Sequence, residues 1–361
     1  MERALRLAER GLWTARPNPM VGCVLVRDGA VVGEGWHARA GGPHAEAVAL
    51  QQAREYARGA TAYVTLEPCA HYGRTPPCAD ALVQAGVARV VAAMGDPFPR
   101  VDGAGFARLQ AAGIEVASGL MEAQARELNR GFLARVERGR PWLRIKLAAS
   151  LDGRTALASG ESKWITGQAA RDDVQRWRAR SAAILTGAGT VLADDPALTV
   201  RMAGDEAFLP PLRVVLDSGL RSLAAGRVRE GAAPTLYLHG PDAVPPVGLQ
   251  AEFAALPLRD GHVDLEAALR LLGERGVNEV QVEAGPVLCG ALLRAGRVDE
   301  LLLYQAPLLL GDDARPLFAA PGTGTLAQRP RLDLVEEVHF GDDRRLLLRP
   351  RATPGPGPAL G

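Results

Sequence analysis

The 361-residue sequence lacks several features that would mark particular classes of protein. Its four cysteines are too few for a disulfide framework in a chain of this length. No apolar run approaches the roughly 18 residues of a membrane span, and the charged, amphipathic start contains no apolar signal core. The 42 basic and 41 acidic residues leave a net charge of +1, which argues against a non-specific polyanion binder. We therefore expect a soluble, cytoplasmic protein that binds neither a membrane nor a nucleic acid.

Lysine is also nearly absent. Only Lys146 and Lys163 are lysines, and every other basic residue is an arginine. We ascribe this imbalance to the codon usage of a GC-rich genome. The balanced net charge still leaves room for a local basic pocket that binds one phosphate.

The length and a hydrophobic content of 47% are sufficient for two domains. Gly139-Arg140-Pro141 interrupts a helical pattern, which places the predicted boundary between domains at residues 1–140 and 141–350. Residues 351–361 are rich in Pro and Gly and are expected to form a disordered tail.

Strand and helix patterns alternate in both halves, which predicts α/β domains with largely parallel sheets covered by helices on both faces. The first half contains a predicted hairpin with strands at 20–26 and 30–36, and one long helix at 121–138. Three strands at the end of the second half, at 300–305, 332–338 and 345–349, are expected to add antiparallel pairs.

The four cysteines fall into two classes. Cys23 and Cys289 lie in apolar runs, so we interpret both as small buried hydrophobic residues. Cys69 and Cys78 lie in a loop rich in Pro and Gly, and together with His44 they form a soft ligand set suited to Zn²⁺. Three protein ligands with a fourth position open for water are typical of a catalytic zinc site, whereas a structural site uses four.

Glu46 follows His44 by two residues at a predicted helix start, which places a carboxylate beside the metal without making it a ligand. There it can accept a proton from metal-activated water and deliver it elsewhere, as in the zinc nucleobase deaminases. Their pattern has two residues between the cysteines, whereas here eight separate Cys69 from Cys78, so the loop must return Cys78 from the start of the next helix. A structural zinc site and unliganded thiols are the alternatives.

The segments 17–22, 42–46 and 65–78 resemble the bifunctional deaminase/reductase family of riboflavin biosynthesis, of which the eight-residue spacer is typical. The resemblance extends to about residue 350 and implies a cytidine-deaminase-like fold for the first domain. It also implies one zinc ion on His44, Cys69 and Cys78, with Glu46 as the catalytic proton shuttle.

The resemblance further implies that Asn18 and His71 contact the base of the substrate. Alternatively, Asn18 is a turn residue between two prolines, and His71 is a loop residue without a contact.

The second half lacks the Gly-x-Gly-x-x-Gly pattern of ordinary dinucleotide-binding domains. Instead, Gly285-Pro286 follows a predicted strand and opens a helix, where a phosphate can approach backbone N–H groups. Alternatively, the Gly-Pro pair only marks the start of the helix and binds no ligand. Two Gly-containing polar stretches, 146–166 and 186–201, also follow predicted strands, where ligands bind in open α/β sheets.

These stretches resemble the reductase half of the same family, which implies a dihydrofolate-reductase-like fold that uses NADPH. The cofactor residues implied are Ala148, Trp164, Thr190, Asp194, Ser218, Gly285, Pro286, Val287, Leu288, Cys289, Gly290 and Ala291. The substrate residues implied are Ser162, Arg178, Leu198, Arg201 and Glu283. Arg178 and Arg201 suit a phosphate, since a guanidinium donates paired hydrogen bonds, although either one alone could be a surface charge.

The resemblance implies two reactions on a small-molecule substrate. The first domain would deaminate 2,5-diamino-6-(5-phosphoribosylamino)pyrimidin-4(3H)-one, and the second would use NADPH to reduce the ribosyl side chain to ribityl; a homo-oligomer is expected. One alternative is a nucleoside or nucleic-acid deaminase with an accessory domain, although the chain has no stripe of interleaved arginines and aromatics. Another is a non-catalytic binding protein stabilised by zinc, whose first domain would unfold on chelation.

Overall fold

The computed structural model describes residues 1–70, 76–320, 324–326 and 329–351. The chain forms two compact units, and the main break between them falls between Pro141 and Trp142. Two short segments from later in the chain, 207–209 and 272–278, belong to the first unit. Of the predicted tail 351–361, residues 352–361 lie outside the described residues, whereas Arg351 is ordered against the chain, with its N–H donating to the Arg331 carbonyl at 2.8 Å. Among the described residues, no helix is both long and apolar enough to cross a membrane.

The first unit is built on a five-stranded sheet with the order β2-β1-β3-β4-β5. Its helices and strands are α1 Glu2–Glu9, β1 Gly22–Arg27, β2 Ala30–Trp36, α2 Ala45–Ala53, β3 Thr61–Val64, α3 Cys78–Gln84, β4 Arg89–Ala92, α4 Ala104–Ala111, β5 Glu115–Ser118, α5 Glu122–Leu128 and α6 Arg130–Arg138. Strand β1 pairs antiparallel with β2 and β3, whereas β3, β4 and β5 are parallel. The predicted hairpin is confirmed as β1 and β2, which are joined by the tight turn at Asp28-Gly29. Because β1 also pairs antiparallel with β3, the parallel part of this sheet is limited to β3, β4 and β5.

Helices cover both faces of this sheet, as predicted. Successive side chains of β1 point to opposite faces. Cys23 and Leu25 pack with Ala49 of α2, whereas Val24 packs with Leu7 of α1. Cys23 is fully buried and makes no disulfide, which confirms its interpretation as a small hydrophobic residue.

The single helix predicted at 121–138 is in fact two helices, α5 and α6, separated at Asn129. Asn129 is buried, and its amide side chain bonds the backbone of Met20 in both directions. Its Oδ1 accepts from the Met20 N–H at 2.7 Å, and its Nδ2 donates to the Met20 carbonyl at 2.9 Å. This pair fixes the segment that carries Asn18.

The second unit contains a nine-stranded sheet with the order β11-β10-β9-β8-β14-β6-β15-β18-β17. From residue 142 onward, the helices and strands are β6 Trp142–Ala149, β7 Arg154–Ala156, α7 Gln168–Arg180, β8 Ala183–Gly187, α8 Ala188–Asp194, β9 Leu212–Leu216, β10 Thr235–His239, β11 Glu252–Ala255, β12 Leu258–Arg259, β13 His262–Val263, α9 Leu265–Glu274, β14 Glu279–Val282, α10 Pro286–Arg294, β15 Glu300–Gln305, β16 Arg315–Pro316, β17 Leu332–Phe340 and β18 Asp343–Pro350.

In the spatial order of the nine-stranded sheet, the seven strands from β11 at one edge through β15 are parallel to one another. Strands β18 and β17 add antiparallel pairs at the other edge. The expectation that the last three strands add antiparallel pairs is confirmed, since β18 pairs antiparallel with both β15 and β17. On its other side, β15 runs parallel to β6. The glycine-containing segment after β8 forms the helix α8, which the sequence pattern did not predict.

Charged side chains are buried against the centre of this sheet. Arg144 on β6 is fully buried, with its guanidinium 2.6 Å from Glu300 and 2.9 Å from Glu279. It also stacks over the ring of Trp177 on α7, 4.3 Å from its centroid. A buried charge is tolerated because carboxylates and an aromatic face replace its water.

Candidate functional site

The candidate metal centre lies where three element ends of the first unit meet. His44 directly precedes α2, Cys69 follows β3, and Cys78 is the first residue of α3. One donor atom from each lies within 4.8 Å of the others, and the Nδ1 of His44 is 3.2 Å from the Cys78 sulfur and 3.6 Å from the Cys69 sulfur. Tetrahedral bonds of about 2.0–2.3 Å would place such atoms about 3.5–3.8 Å apart, so the donor set fits Zn²⁺ in type and in spacing.

The long loop returns Cys78 to the site, as its spacing from Cys69 predicts. The backbone N–H of Cys78 donates to the Cys69 sulfur at 3.3 Å. Hydrogen bonding from Cys78 lowers the pKa of the Cys69 thiol to about 4, with His44 adding to the effect and burial opposing it. Cys69 is therefore prepared to act as a thiolate, the form that binds a metal.

Glu46 lies in the first turn of α2, and only 3% of it is exposed. Burial, together with the charge of Cys69, raises the pKa of its carboxyl to about 7, and His44 opposes part of this shift. A carboxyl with such a pKa can both accept and release a proton near neutral pH. It lies beside the three donors without belonging to their cluster.

Sequence reasoning missed His37, which lies between Asn18 and the metal centre. His37 is 3% exposed, its Nδ1 is 3.0 Å from the Pro43 carbonyl, and its Nε2 is 3.0 Å from the Asn18 amide nitrogen. Because a carbonyl only accepts, Nδ1 carries the proton and Nε2 accepts from Asn18. This arrangement orients the Asn18 amide. His71, the other predicted base contact, lies outside the described residues.

The second unit contains a cavity of about 1330 Å³ at the carboxyl ends of its parallel strands. It extends past the ends of β6, β8, β9 and β14, where open α/β sheets bind ligands. The predicted cofactor residues that line it are Ala148, Trp164, Thr190, Asp194, Ser218, Gly285, Pro286, Val287, Leu288 and Ala291. The predicted substrate residues that line it are Ser162, Arg178, Leu198 and Glu283.

Three predicted site residues are not in the cavity lining. Cys289 and Gly290 are buried on the opposite side of α10, where a Cβ at Gly290 would lie 2.0 Å from the Ala319 carbonyl. Helical periodicity explains this, since Leu288 and Ala291 face the cavity and the two residues between them face away. Arg201 is close enough to Arg178 for that charge, together with burial, to lower the pKa of its guanidinium.

Arg178 and Glu283 form an ion pair at the cavity wall, with only 11% and 13% of their side chains exposed. The guanidinium donates to both carboxylate oxygens at 2.7 Å, and its third nitrogen donates to the Thr199 carbonyl at 2.8 Å. The Arg178 pairing counteracts burial and lowers the pKa of Glu283 to about 2. The guanidinium is thus already engaged, and it positions Glu283.

Lys146 is a second residue that the site prediction missed. It lies on β6 in the cavity wall, where burial lowers the pKa of its amine and the charge of Glu283 partly restores it. Its Nζ lies 5.8 Å from the centroid of the Tyr304 ring. The scarcity of lysine in the sequence could have indicated a role for Lys146. The chain has only two lysines, and the other one, Lys163, also lines this cavity.

Two family models match the chain. Residues 1–94 match the cytidine and deoxycytidylate deaminase zinc-binding region, and residues 141–346 match the RibD C-terminal domain. These matches agree with the fold class expected for each half.

Similar proteins match almost the whole chain. The riboflavin biosynthesis protein RibD of Escherichia coli is 53% identical over 353 residues, which cover 95% of this chain and 96% of that protein. The structure of Acinetobacter baumannii RibD is 46% identical, with a TM-score of 0.88 and 97% of each chain covered. A Thermotoga maritima structure, described as a diaminohydroxyphosphoribosylaminopyrimidine deaminase/5-amino-6-(5-phosphoribosylamino)uracil reductase, is 35% identical, with a TM-score of 0.85 and 97% of each chain covered. The chain therefore belongs to the RibD family of riboflavin biosynthesis and is a bifunctional enzyme with a zinc-binding deaminase domain and a reductase domain.

Proposed function

We propose that the first unit deaminates 2,5-diamino-6-(5-phosphoribosylamino)pyrimidin-4(3H)-one and that the second reduces the ribosyl group of the product to ribityl with NADPH. The observation that carries the proposal is the presence, in one chain, of two separate sites. One is a three-donor metal cluster beside buried Glu46, and the other is a large cavity at the strand ends. The similar Thermotoga maritima protein, whose description names both reactions, supports this assignment.

In the deaminase site, His44, Cys69 and Cys78 would hold one Zn²⁺ per chain. When bound, the ion supplies an activated water at neutral pH. Glu46 would accept a proton from the water whose oxygen attacks C2 of the ring, and would deliver that proton to the amino group, which leaves C2 as ammonia. Asn18, whose amide is oriented by His37, holds the pyrimidine ring through its amide oxygen.

In the reductase cavity, the backbone at Gly285 and the start of α10 would hold the pyrophosphate of NADPH, because a helix N-terminus favours an anion. The other residues proposed to contact the cofactor are Ala148, Trp164, Thr190, Asp194, Ser218, Pro286, Val287, Leu288 and Ala291. Ala284 also lines the cavity and restricts the backbone approach more than a glycine would. Because Cys289 and Gly290 lie behind the cavity surface, we assign them to the packing of α10 rather than to direct contact.

Reduction of the open-chain ribosyl carbonyl adds a hydride to carbon and a proton to oxygen. The nicotinamide supplies the hydride when it is bound. Lys146 supplies the proton, since it is an amine in the cavity wall whose pKa is lowered toward neutrality. Glu283, held by Arg178, binds the hydroxyl groups of the substrate, and Ser162 and Leu198 line the same region. Arg201 approaches the substrate phosphate from the edge.

A coupled assay with the diaminopyrimidine phosphate tests the proposal, provided that ammonia release and NADPH consumption are followed separately. We expect one ammonia per substrate without NADPH, and NADPH consumption only after deamination. Deamination of cytidine or of an oligonucleotide, without action on the phosphoribosyl compound, would favour the alternative of a nucleoside or nucleic-acid deaminase. Sedimentation of the purified protein tests the expected homo-oligomer.

A further inference from the structure

The backbone segment that carries Asn18 is held by residues from distant parts of the sequence. At the end of this segment, the buried amide of Asn129 bonds both backbone groups of Met20. Between Asn18 and Met20 stands Pro19, whose ring fixes its own φ angle. The orientation of Asn18 therefore depends mainly on the peptide unit that joins it to Pro17.

That peptide unit is hydrogen-bonded at both of its polar ends. The Asn18 N–H donates to the Ala15 carbonyl at 3.1 Å. The Pro17 carbonyl accepts from the side-chain amide of Asn278 at 3.0 Å and from the guanidinium of Arg135 at 3.3 Å. Because a peptide unit is planar, bonds at its N–H and at its carbonyl oxygen together fix the plane from which Asn18 begins.

Asn278 lies 261 residues after Pro17, in the short segment 272–278 that belongs to the first unit. Only 8% of it is exposed, and its Oδ1 accepts from the Nε of Arg135 on α6 at 2.7 Å. A guanidinium only donates and a carbonyl only accepts, so Oδ1 faces Arg135 and Nδ2 faces the Pro17 carbonyl. The Asn278 amide thus connects α6 to the start of the Asn18 segment.

We propose that Asn278 is a positioning residue of the deaminase site, because it holds the Pro17 carbonyl and thereby places the Asn18 amide against the pyrimidine ring. His37 sets the direction of that amide separately, with its Nε2 3.0 Å from the amide nitrogen. The backbone and the side chain of Asn18 are therefore fixed by different residues, and an error in either one misplaces the oxygen that meets the ring. This inference rests on the proposed contact between Asn18 and the substrate.

Steady-state deamination by the full-length protein tests this inference. In Asn278→Ala the KM for the diaminopyrimidine phosphate should rise by about 3- to 10-fold, the range for the loss of one hydrogen bond. The kcat should stay within about twofold of the wild type, since the Asn18 contact binds the ground and transition states alike. A purely structural role would instead lower kcat in proportion to the folded fraction and leave KM unchanged. Asn278→Asp should give the same rise in KM, because a carboxylate of the same shape accepts from Arg135 but has no N–H for Pro17.

A double-mutant cycle shows whether Asn278 acts through Asn18. Because the effects of two residues on one contact do not add, Asn278→Ala should raise KM no further in a protein that already carries Asn18→Ala. Glu274→Gln is the matched control, since Glu274 is an exposed residue of the same segment at the end of α9, and it should leave KM at the wild-type value. Zinc content and the reduction of deaminated substrate should remain at wild-type values in Asn278→Ala.

Additive increases in KM in the double variant would overturn the inference. So would a wild-type KM in Asn278→Asp, or an equal loss of deamination and reduction in Asn278→Ala. If Asn18→Ala raises KM and Asn278→Ala does not, the role of Asn278 alone is refuted. If Asn18→Ala has the wild-type KM, or if the wild type does not deaminate this compound, the proposed substrate contact fails and the role of Asn278 fails with it.

Discussion

The two sites differ in how many residues build them and in what those residues contribute. The metal centre consists of three donor side chains and Glu46, all placed at the ends of short elements within residues 44–78. The reductase cavity is lined by residues from 146 to 315, many of which contribute backbone or apolar surface. Chemistry that depends on a few side chains leaves a compact motif in the sequence, whereas a cavity that binds a large cofactor is distributed along the chain.

The two sites also differ in how burial and neighbouring charges act on a carboxyl group. In the metal centre, burial and the charge of Cys69 raise the pKa of Glu46, which favours proton transfer. In the cavity wall, Arg178 overcomes burial and lowers the pKa of Glu283, which keeps that carboxylate ionised. We therefore expect substitution of Glu46 to alter a chemical step, and substitutions in the Arg178–Glu283 pair to alter stability and binding.

The largest expected effect is on the deamination rate of Glu46→Gln. Because Glu46 moves a proton and is not one of the three donors, deamination should fall by about 10²–10⁴-fold while zinc content stays near one per chain. Metal analysis together with ammonia release measures both quantities. The exposed Glu55→Gln is the control and should retain full activity. Loss of zinc from Glu46→Gln would mean that Glu46 is a ligand.

The next largest effect concerns the buried pair in the cavity wall. Arg178→Ala leaves Glu283 buried without its partner, which should lower the free energy of unfolding of the second unit by about 3–5 kcal/mol. Arg178→Lys should restore only part of this, because an ammonium cannot donate the two parallel hydrogen bonds. Urea unfolding measures the change, and Arg176→Ala on the exposed side of the same helix is the control. Wild-type stability in Arg178→Ala would show that the pair contributes little.

The same pair predicts a dependence of stability on pH. The pKa of Glu283 is lowered in the folded state to about 2 from its ordinary value of 4.5, so its contribution to stability is present above about pH 4.5 and is lost as the pH falls toward 2. A difference of this size corresponds to about 3 kcal/mol. Glu283→Gln should be less stable at pH 7 and should lose less stability than the wild type between pH 5 and pH 3. The exposed Glu161→Gln should retain the full dependence, and identical slopes in all three proteins would exclude Glu283 as the source.

Much of the fold could be predicted because the strands of the second unit are short apolar runs between helical patterns. The strands at 235–239 and 300–305 lie at the predicted residues. The pairing of the strands was harder to predict than their positions, because local periodicity does not select a partner strand. Strand β15, for example, pairs with β6 in parallel and with β18 antiparallel. The break at Asn129 depends on its bonds with Met20, which lies 109 residues away in the sequence.

The site residues likewise divide into those that local sequence identifies and those that only long-range contacts identify. His44, Cys69 and Cys78 could be recognised from residue type and spacing because only a few side chains suit zinc. His37 could not, since its importance lies in its bonds with Asn18 and Pro43 rather than in a motif. Arginine was the least informative residue type. Because arginine supplies nearly all the basic residues of the chain, its presence at a position does not show whether the guanidinium is buried in an ion pair, binds a ligand or is exposed to solvent.

Arg201 gives the smallest expected effect and tests whether the substrate phosphate lies at the edge of the cavity. It is close enough to Arg178 and Glu283 for their charges to influence its pKa, yet it is absent from the cavity lining. Arg201→Ala should therefore lower reductase kcat/KM by about 10- to 100-fold, mainly through the KM for the substrate, because a phosphate far from the reacting carbon is held equally in the ground and transition states. Arg201→Lys should recover part of the loss, and NADPH affinity and deamination should remain at wild-type values. An unchanged substrate KM would show that Arg201 is a surface charge, and the phosphate would then have to be sought among the other cationic side chains of the cavity, with Lys163 as the first to substitute.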